Sequence, residues 1–466
     1  MEKSIFFDFS IDKNQMSVIS NKNYIMPFII IFFCLLLLVL LISYFKLDAF
    51  ISLVIVSIAM AIFLGIPLNR IPSVVAKGVG NMLGSLTLVV VFGAMLGKLV
   101  AESGAARKIA EVMVNLMGMK NIQWGLMVTG FIVGIPLFYG VGFVLLVPII
   151  FSIVYQYKFP AVYIGLPMLA ALSVAFGFLP PHPSPVALVT MFNANMGITL
   201  MLGITIAIPA IILAGPVYSK TLKNIKSGPL KLFESGKQES NSNFKKPGKT
   251  NSFISATLPV FLLMVVTLIP YFFPHRGEQA SNILSLLGDP SIVMLLSLIV
   301  ATYTLGIRQG RSIREIMPVY TEAIKDISMI LLLIAAAGIF KEVMDASGVS
   351  LSLVNEMEHL PVHPLILGWL MAGIIRVCIG SATVAALTAA SVIMPLATHT
   401  GVNPSLMVLS LGAGSLMFSH LNDSGFWMFK EYFNLSIKDT LRSWTVMEGI
   451  VSVVGLLGVL ILNRVI

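Results

Sequence analysis

Arg376 lies in Ala372-Gly373-Ile374-Ile375-Arg376-Val377, inside a long apolar stretch. If that stretch crosses a membrane, an arginine at its centre costs about 2.5–3.5 kcal/mol and needs water or an anionic partner. It precedes Gly380-Ser381 by about one helical turn, so it can face a helix break there. Either its guanidinium fork holds a substrate carboxylate, or it pairs with a structural acid or reaches a membrane surface. His420-Leu421-Asn422-Asp423-Ser424-Gly425 brings donors and acceptors into an otherwise apolar half. Asp423 is a candidate to hold a proton or a cation. By residue type a histidine can change charge near neutral pH, which makes His420 and His182 proton candidates, and each also reads as a hydrogen-bonded structural histidine. Asn422 and Ser424 suit substrate hydroxyls, or they cap a helix starting near Phe426.

Two small-residue runs let backbone approach a ligand closely: Gly380-Ser381-Ala382-Thr383, and Phe138-Tyr139-Gly140-Val141-Gly142. A half-helix beginning at either would aim its N–H groups and positive dipole end at an anion. Small residues also serve close helix packing. Lys98, Lys341, Glu102 and Asp345 flank apolar runs and read as interfacial, while Trp427, Trp444 and Phe429 read as interface anchors.

Composition tells what must position these groups. Hydrophobic residues make up 57% of the 466 and charged residues 11%, and mean hydropathy is +0.95. A soluble domain carries about 25% charged residues, so most of this surface cannot face water. A secreted scaffold, a disordered chain and a cytosolic enzyme are excluded. The net charge of +9 is concentrated in residues 218–252, where eight Lys stand against Glu234 and Glu239. Such a loop is the cytoplasmic side of the positive-inside rule, not a nucleic-acid surface. Cys34 and Cys378 lie in apolar runs without metal-ligand spacing. No His-Glu-x-x-His is present, which disfavours an intramembrane metal hydrolase using His182, His420 and Asp423. No metal and no cofactor are expected.

The chain is therefore an all-α polytopic membrane protein with about ten to twelve transmembrane segments. Residues 1–26 form a polar extension, 27–217 a first membrane half, 218–252 a basic linker and 253–466 a second half. The runs 123–157 and 364–397 are too long for one helix, and small residues interrupt each. Two further spans break at Gly177 to Pro185 and at Ser415 to Gly425. Non-helical backbone at membrane depth survives only inside protein or beside water, so the breaks point to a cavity, or else to surface loops. They recur in order: Ser103-Gly104 and Ser347-Gly348, then Pro148 and Pro395, then Pro167 before His182 and Pro404 before His420. Two inverted-topology repeats, each with a re-entrant hairpin and a broken helix, fit that order.

Gly177-Phe178-Leu179-Pro180-Pro181-His182-Pro183, Gly380-Ser381-Ala382-Thr383-Val384-Ala385 and Phe418-Ser419-His420-Leu421-Asn422-Asp423-Ser424-Gly425-Phe426-Trp427 closely resemble the gluconate:proton symporter (Gnt) family. The likeness runs from about residue 48 to the C-terminus and leaves out 1–26. It implies a bacterial inner-membrane carrier of sugar acids, in a family that also includes D-serine carriers. Its wider superfamily, the ion transporters, implies a homodimer in which a two-hairpin transport domain moves against a scaffold. On that resemblance, 138–148 and 379–395 are hairpin tips, and 177–185 and 415–425 are broken-helix loops. The chain departs from several gluconate carriers at Gly140, where they have an acidic residue after Phe-Tyr.

The combined expectation is a proton-driven symporter for gluconate or a related hydroxylated monocarboxylate. Arg376, with half-helix N-termini at Gly380 and Gly140, would hold the carboxylate. Asn422, Ser424, Ser381, Thr383 and Ser184 would meet hydroxyls, with Tyr139 and His182 beside them. Asp423, His420 or His182 would carry the proton. The alternative is a sodium-coupled carboxylate or D-serine-like amino-acid carrier.

Overall fold

The computed structural model describes residues 25–225, 227, 245–273, 277–349 and 361–466. Most of the expected extension and much of the basic linker thus lie outside the described residues. Every regular element among the described residues is helical.

The first half opens with α1 (Ile25–Val39) and α2 (Ala49–Phe63), the latter capped by Asp48, which accepts from Phe50 N at 2.9 Å. The 32-residue α3 (Ile71–Glu102) follows. Next come α4 (Ala105–Met117), α5 (Ile122–Gly134), α6 (Tyr139–Tyr157), α7 (Ala161–Phe178), α8 (Pro183–Met191) and α9 (Met196–Ile212). Past the linker lie α10 (Lys249–Phe272), α11 (Glu278–Gly288), α12 (Pro290–Ala301) and the 34-residue α13 (Ile313–Ala346). The last elements are α14 (Pro364–Ile379), α15 (Ala382–His399), α16 (Pro404–Ser415), α17 (Ser424–Tyr432) and α18 (Val446–Val465).

Among the described residues, eight helices are long and apolar enough to cross a membrane, fewer than the ten to twelve segments expected. Shorter apolar helices of 10–17 residues accompany them, among them α14 and α16. They stop short because the chain breaks where backbone and side chains must meet. The break between α7 and α8 is Leu179–His182, since prolines cannot continue the i→i−4 ladder. That between α16 and α17 runs from Leu416 to Asp423. One break falls elsewhere than expected. Gly140 and Gly142 lie inside the first turn of α6, and the chain instead opens at Ile135–Phe138. Pro136 supplies the reason, because it has no N–H to donate back into α5. Phe138, at φ −59° and ψ 143°, then starts the next helix.

Among the described residues, the long helices α3 and α13 pack extensively against each other. A Cβ on Gly78 would lie 2.6 Å from the Gly338 carbonyl oxygen, and one on Gly338 would lie 2.4 Å from that of Gly78. The two backbones touch where neither has a side chain. Lys98 ties the same helices by ion pairs to Asp326 at 3.0 Å and Glu322 at 3.6 Å. The site belongs to a second group: α7 lies on α5, α16 on α14, and α18 against α16, α9 and α7. The α7–α8 span is 89% buried, whereas that of α10 is 33% buried. The broken backbone between α7 and α8 is therefore held in the interior while the unbroken apolar α10 is left outside, as hydrocarbon requires. The 416–423 break reaches the protein surface at Phe418, Leu421 and Asn422.

Candidate functional site

The end of α14 is where the site is built. Gly380 turns the chain in the left-handed region at φ +83°. A Cβ there would lie 2.2 Å from the backbone oxygen of Asn422, so the α14 end and the 416–423 break are in backbone contact. The last carbonyls of a helix have no partner within it. Here Val377 O accepts from Asn422 Nδ2 at 2.8 Å and pairs with His420 Nε2 at 3.0 Å. Cys378 O accepts from Asn422 Nδ2 at 3.3 Å and from Ser43 Oγ at 2.8 Å. The Gly380 carbonyl accepts from Arg376.

Arg376 is 4% exposed. Its other terminal nitrogen donates to Asp423 Oδ2, while Nε is buried without a hydrogen-bond partner among the described residues. Asp423 caps α17 by accepting from Gly425 N at 3.0 Å, and it also accepts from Ser419 Oγ. Ser419 Oγ accepts from Trp444 Nε1 at 2.7 Å, and Ser419 O accepts from Thr445 Oγ1 at 2.5 Å. Arg376, Gly380, His420, Asn422 and Asp423 therefore form one cluster. Ser381 caps α15, with Val384 N at 3.4 Å from its hydroxyl, and Thr383 is buried in the first turn. Ser424 is exposed at the start of α17.

The first half contributes a second locus. Buried His182, N-cap of α8, pairs through Nε2 with Gly134 O at 2.7 Å. Its ring centre is 5.5 Å from Phe176, which is 6.5 Å from Tyr139, which is 5.8 Å from Trp444. Tyr139 is thus where the two loci meet, and its buried hydroxyl has no partner among the described residues. A Cβ on Gly425 would lie 3.4 Å from Asp423 Oδ2 and 3.6 Å from the Tyr139 ring. Ser184 is buried on α8, which packs against α15, the helix of Thr383. Gly140 is half-buried, and a Cβ there would meet nothing within 4 Å.

Two aromatic residues expected at the interface are core. Trp444 is 2% exposed and Phe429 0%, with rings stacked at 5.4 Å. Ser419 gives the indole N–H its partner inside the protein, which is what permits full burial. Trp427, at 39% exposed, keeps a surface position. One residue was missed. Glu448 on α18 is 2% exposed and accepts from Ser173 Oγ at 2.6 Å through Oε1. Its sequence signal was being the lone acid in the run 442–464.

A model of the GntP family permeases matches residues 26–465. The chain belongs to the GntP permease family. It is 44% identical over 442 residues to a high-affinity gluconate transporter of Escherichia coli, covering 95% of this chain and all of the relative. It is 42% identical to the Gnt-II system L-idonate transporter of the same species, covering 94% and 100%. A Bacillus subtilis gluconate permease is also 42% identical, with 95% and 100% covered. The fold is similar to the Alcanivorax borkumensis YdaH transporter, at TM-score 0.64 and 18% identity over 89% of this chain and 97% of that one. It is equally similar to Neisseria gonorrhoeae MtrF, at TM-score 0.64 and 13% identity over 88% and 94%. This GntP permease is a multi-pass protein of the bacterial inner membrane and a carrier rather than an enzyme.

Proposed function

We propose that this permease imports gluconate or a related small sugar acid by symport with protons. The observation that carries the reading is Arg376, a buried guanidinium with Nε unpaired, in a chain 44% identical to a gluconate transporter. The unpaired Nε–H donates to the substrate carboxylate, with the α15 N-terminus behind it. Ser381, Thr383, Ser184, Ser424 and Asn422 are the partners for hydroxyls. Asp423, His420 and His182 are the sequence's candidates for the proton.

The carrier is read as two inverted repeats, 27–217 and 253–466, joined by the 218–252 linker, each with a re-entrant hairpin, and as a homodimer. The order of elements supports the repeats. A long helix (α3, α13), a helix pair (α5–α6, α14–α15), a helix ending in a break (α7, α16), a short helix (α8, α17) and a last span (α9, α18) occur twice. The homodimer and the elevator motion rest on likeness to the family and its superfamily.

The test is uptake of radiolabelled gluconate into vesicles under an inward proton gradient in sodium-free buffer, with unlabelled competitor acids. Accumulation that a protonophore abolishes and only sugar acids displace is the expected result. Uptake that needs sodium, or that an amino acid displaces, would replace this reading with the alternative one. Gly140 gives a further prediction. Because a Cβ there has open space, Gly140→Glu should fold normally and alter the order in which competitor acids displace gluconate. An unchanged order would remove Gly140 from substrate choice.

A further inference from the structure

The three groups the sequence offers for the coupled proton are all engaged. Asp423 is held by Arg376, Ser419 and Gly425 N. His182 pairs with Gly134 O at 2.7 Å, and His420 with Val377 O at 3.0 Å. Glu448 is different. It is 2% exposed, and while Oε1 accepts from Ser173, Oε2 is buried with no hydrogen-bond partner among the described residues. A buried carboxylate oxygen without a donor is costly as an anion, and a proton on it removes the charge.

The surroundings isolate this acid. The packed helices α7, α9 and α16 and the turn 213–217 carry no Asp, Glu, Lys, Arg or His, and the turn 441–445 carries only Arg442, which is exposed. From α14, which also touches α18, comes Arg376. Arg376 and Asp423 are the charged groups whose fields reach Glu448, and Tyr139 of α6 is the neutral titratable neighbour. Glu448 also lies one turn along the chain from Trp444 and Thr445, both bonded to Ser419, which bonds Asp423. The acid is thus placed next to the proposed substrate clamp without being part of it.

We propose that Glu448 is the site that takes up and releases the coupled proton, with Ser173 orienting its carboxylate between α18 and α7. This deepens, and rests on, the proton-symport reading above. A proton from water on the entry side forms the O–H bond at Oε2, and the same bond breaks to return it to water on the exit side, with no electron transferred. A substrate anion at Arg376 and a proton at Glu448 offset each other's charge in a low-dielectric interior. Each therefore tightens binding of the other, which is the linkage a symporter needs.

Full-length protein in proteoliposomes tests this with gluconate as the probe. In the wild type, a one-unit inward pH gradient should drive roughly tenfold accumulation per coupled proton. Glu448→Gln, a permanently neutral shape mimic, should still exchange internal for external gluconate but no longer concentrate it. Glu448→Asp keeps the acid and should accumulate gluconate with a displaced pH profile. It serves as the decisive variant should the Gln form not reach the membrane. A Gln variant that accumulates as the wild type does would overturn the assignment while leaving proton symport standing. So would an Asp variant whose pH profile coincides with that of the wild type. A wild type that ignores the proton gradient would overturn the symport reading and this assignment together.

Discussion

Arg376→Gln loses gluconate uptake and is destabilised by about 3–5 kcal/mol, the usual cost of stranding one partner of a buried ion pair. Asp423 would keep Ser419 and Gly425 N but lose the only cation bonded to it among the described residues. The two effects separate in the double variant Arg376→Gln/Asp423→Asn. Replacing both charges of a buried pair is often close to neutral, so the thermal midpoint should return most of the way. Uptake should not return, because the carboxylate clamp is still missing. A double variant that is stable and also transports would make Arg376 a structural partner of Asp423 and nothing more. Arg376→Lys adds resolution. It keeps the charge yet lacks the planar fork, so a raised KM with residual transport is expected from initial-rate uptake.

Gly380→Ala should be the most damaging one-carbon change in the site, and Gly104→Ala is its matched control. The two glycines have nearly the same backbone, φ +83° and +82°. A left-handed non-glycine residue costs about 1–2 kcal/mol in either place. A Cβ at Gly104 meets nothing within 4 Å, whereas one at Gly380 would lie 2.2 Å from the Asn422 backbone oxygen. Gly104→Ala should therefore express, lose only that strain energy and transport. Gly380→Ala must also push the 416–423 break away from α14, which pulls Asp423 off Arg376 and should abolish uptake. Thermal midpoints and uptake of the two variants measured side by side check this. Equal behaviour would mean the close approach does not hold the site together.

Much of the site was legible because hydrocarbon tolerates so little. Arg376 and the proline run before Pro185 are each expensive in lipid, so each had to be interior, and each is. Of the polar run through Asp423, Ser419 is buried and Asp423 half-buried, while Asn422 and Ser424 reach the surface. The N-cap role of Asp423 follows from its type and its place before α17. What was not legible depended on partners far along the chain. Glu448, six residues past Arg442, resembles an interfacial charge until Ser173, 275 residues away, is seen against it. Trp444 and Phe429 failed for the same reason, since an aromatic near a span end carries no label saying which way it faces. The first break lies before Gly140 and Gly142 because Pro136, with no N–H to donate, decides where α5 stops.

The contact of Trp444 with Ser419 has a consequence for direction. An indole nitrogen only donates, so the hydrogen on Ser419 Oγ is turned away from Trp444 and toward Asp423. The three side chains form a one-way street from ring to hydroxyl to carboxylate, with its sense set by the chemistry of tryptophan. Phenylalanine at that position would let the hydroxyl swivel. The carboxylate opposite Arg376 would then lose a donor whose aim is guaranteed by a residue that never touches it.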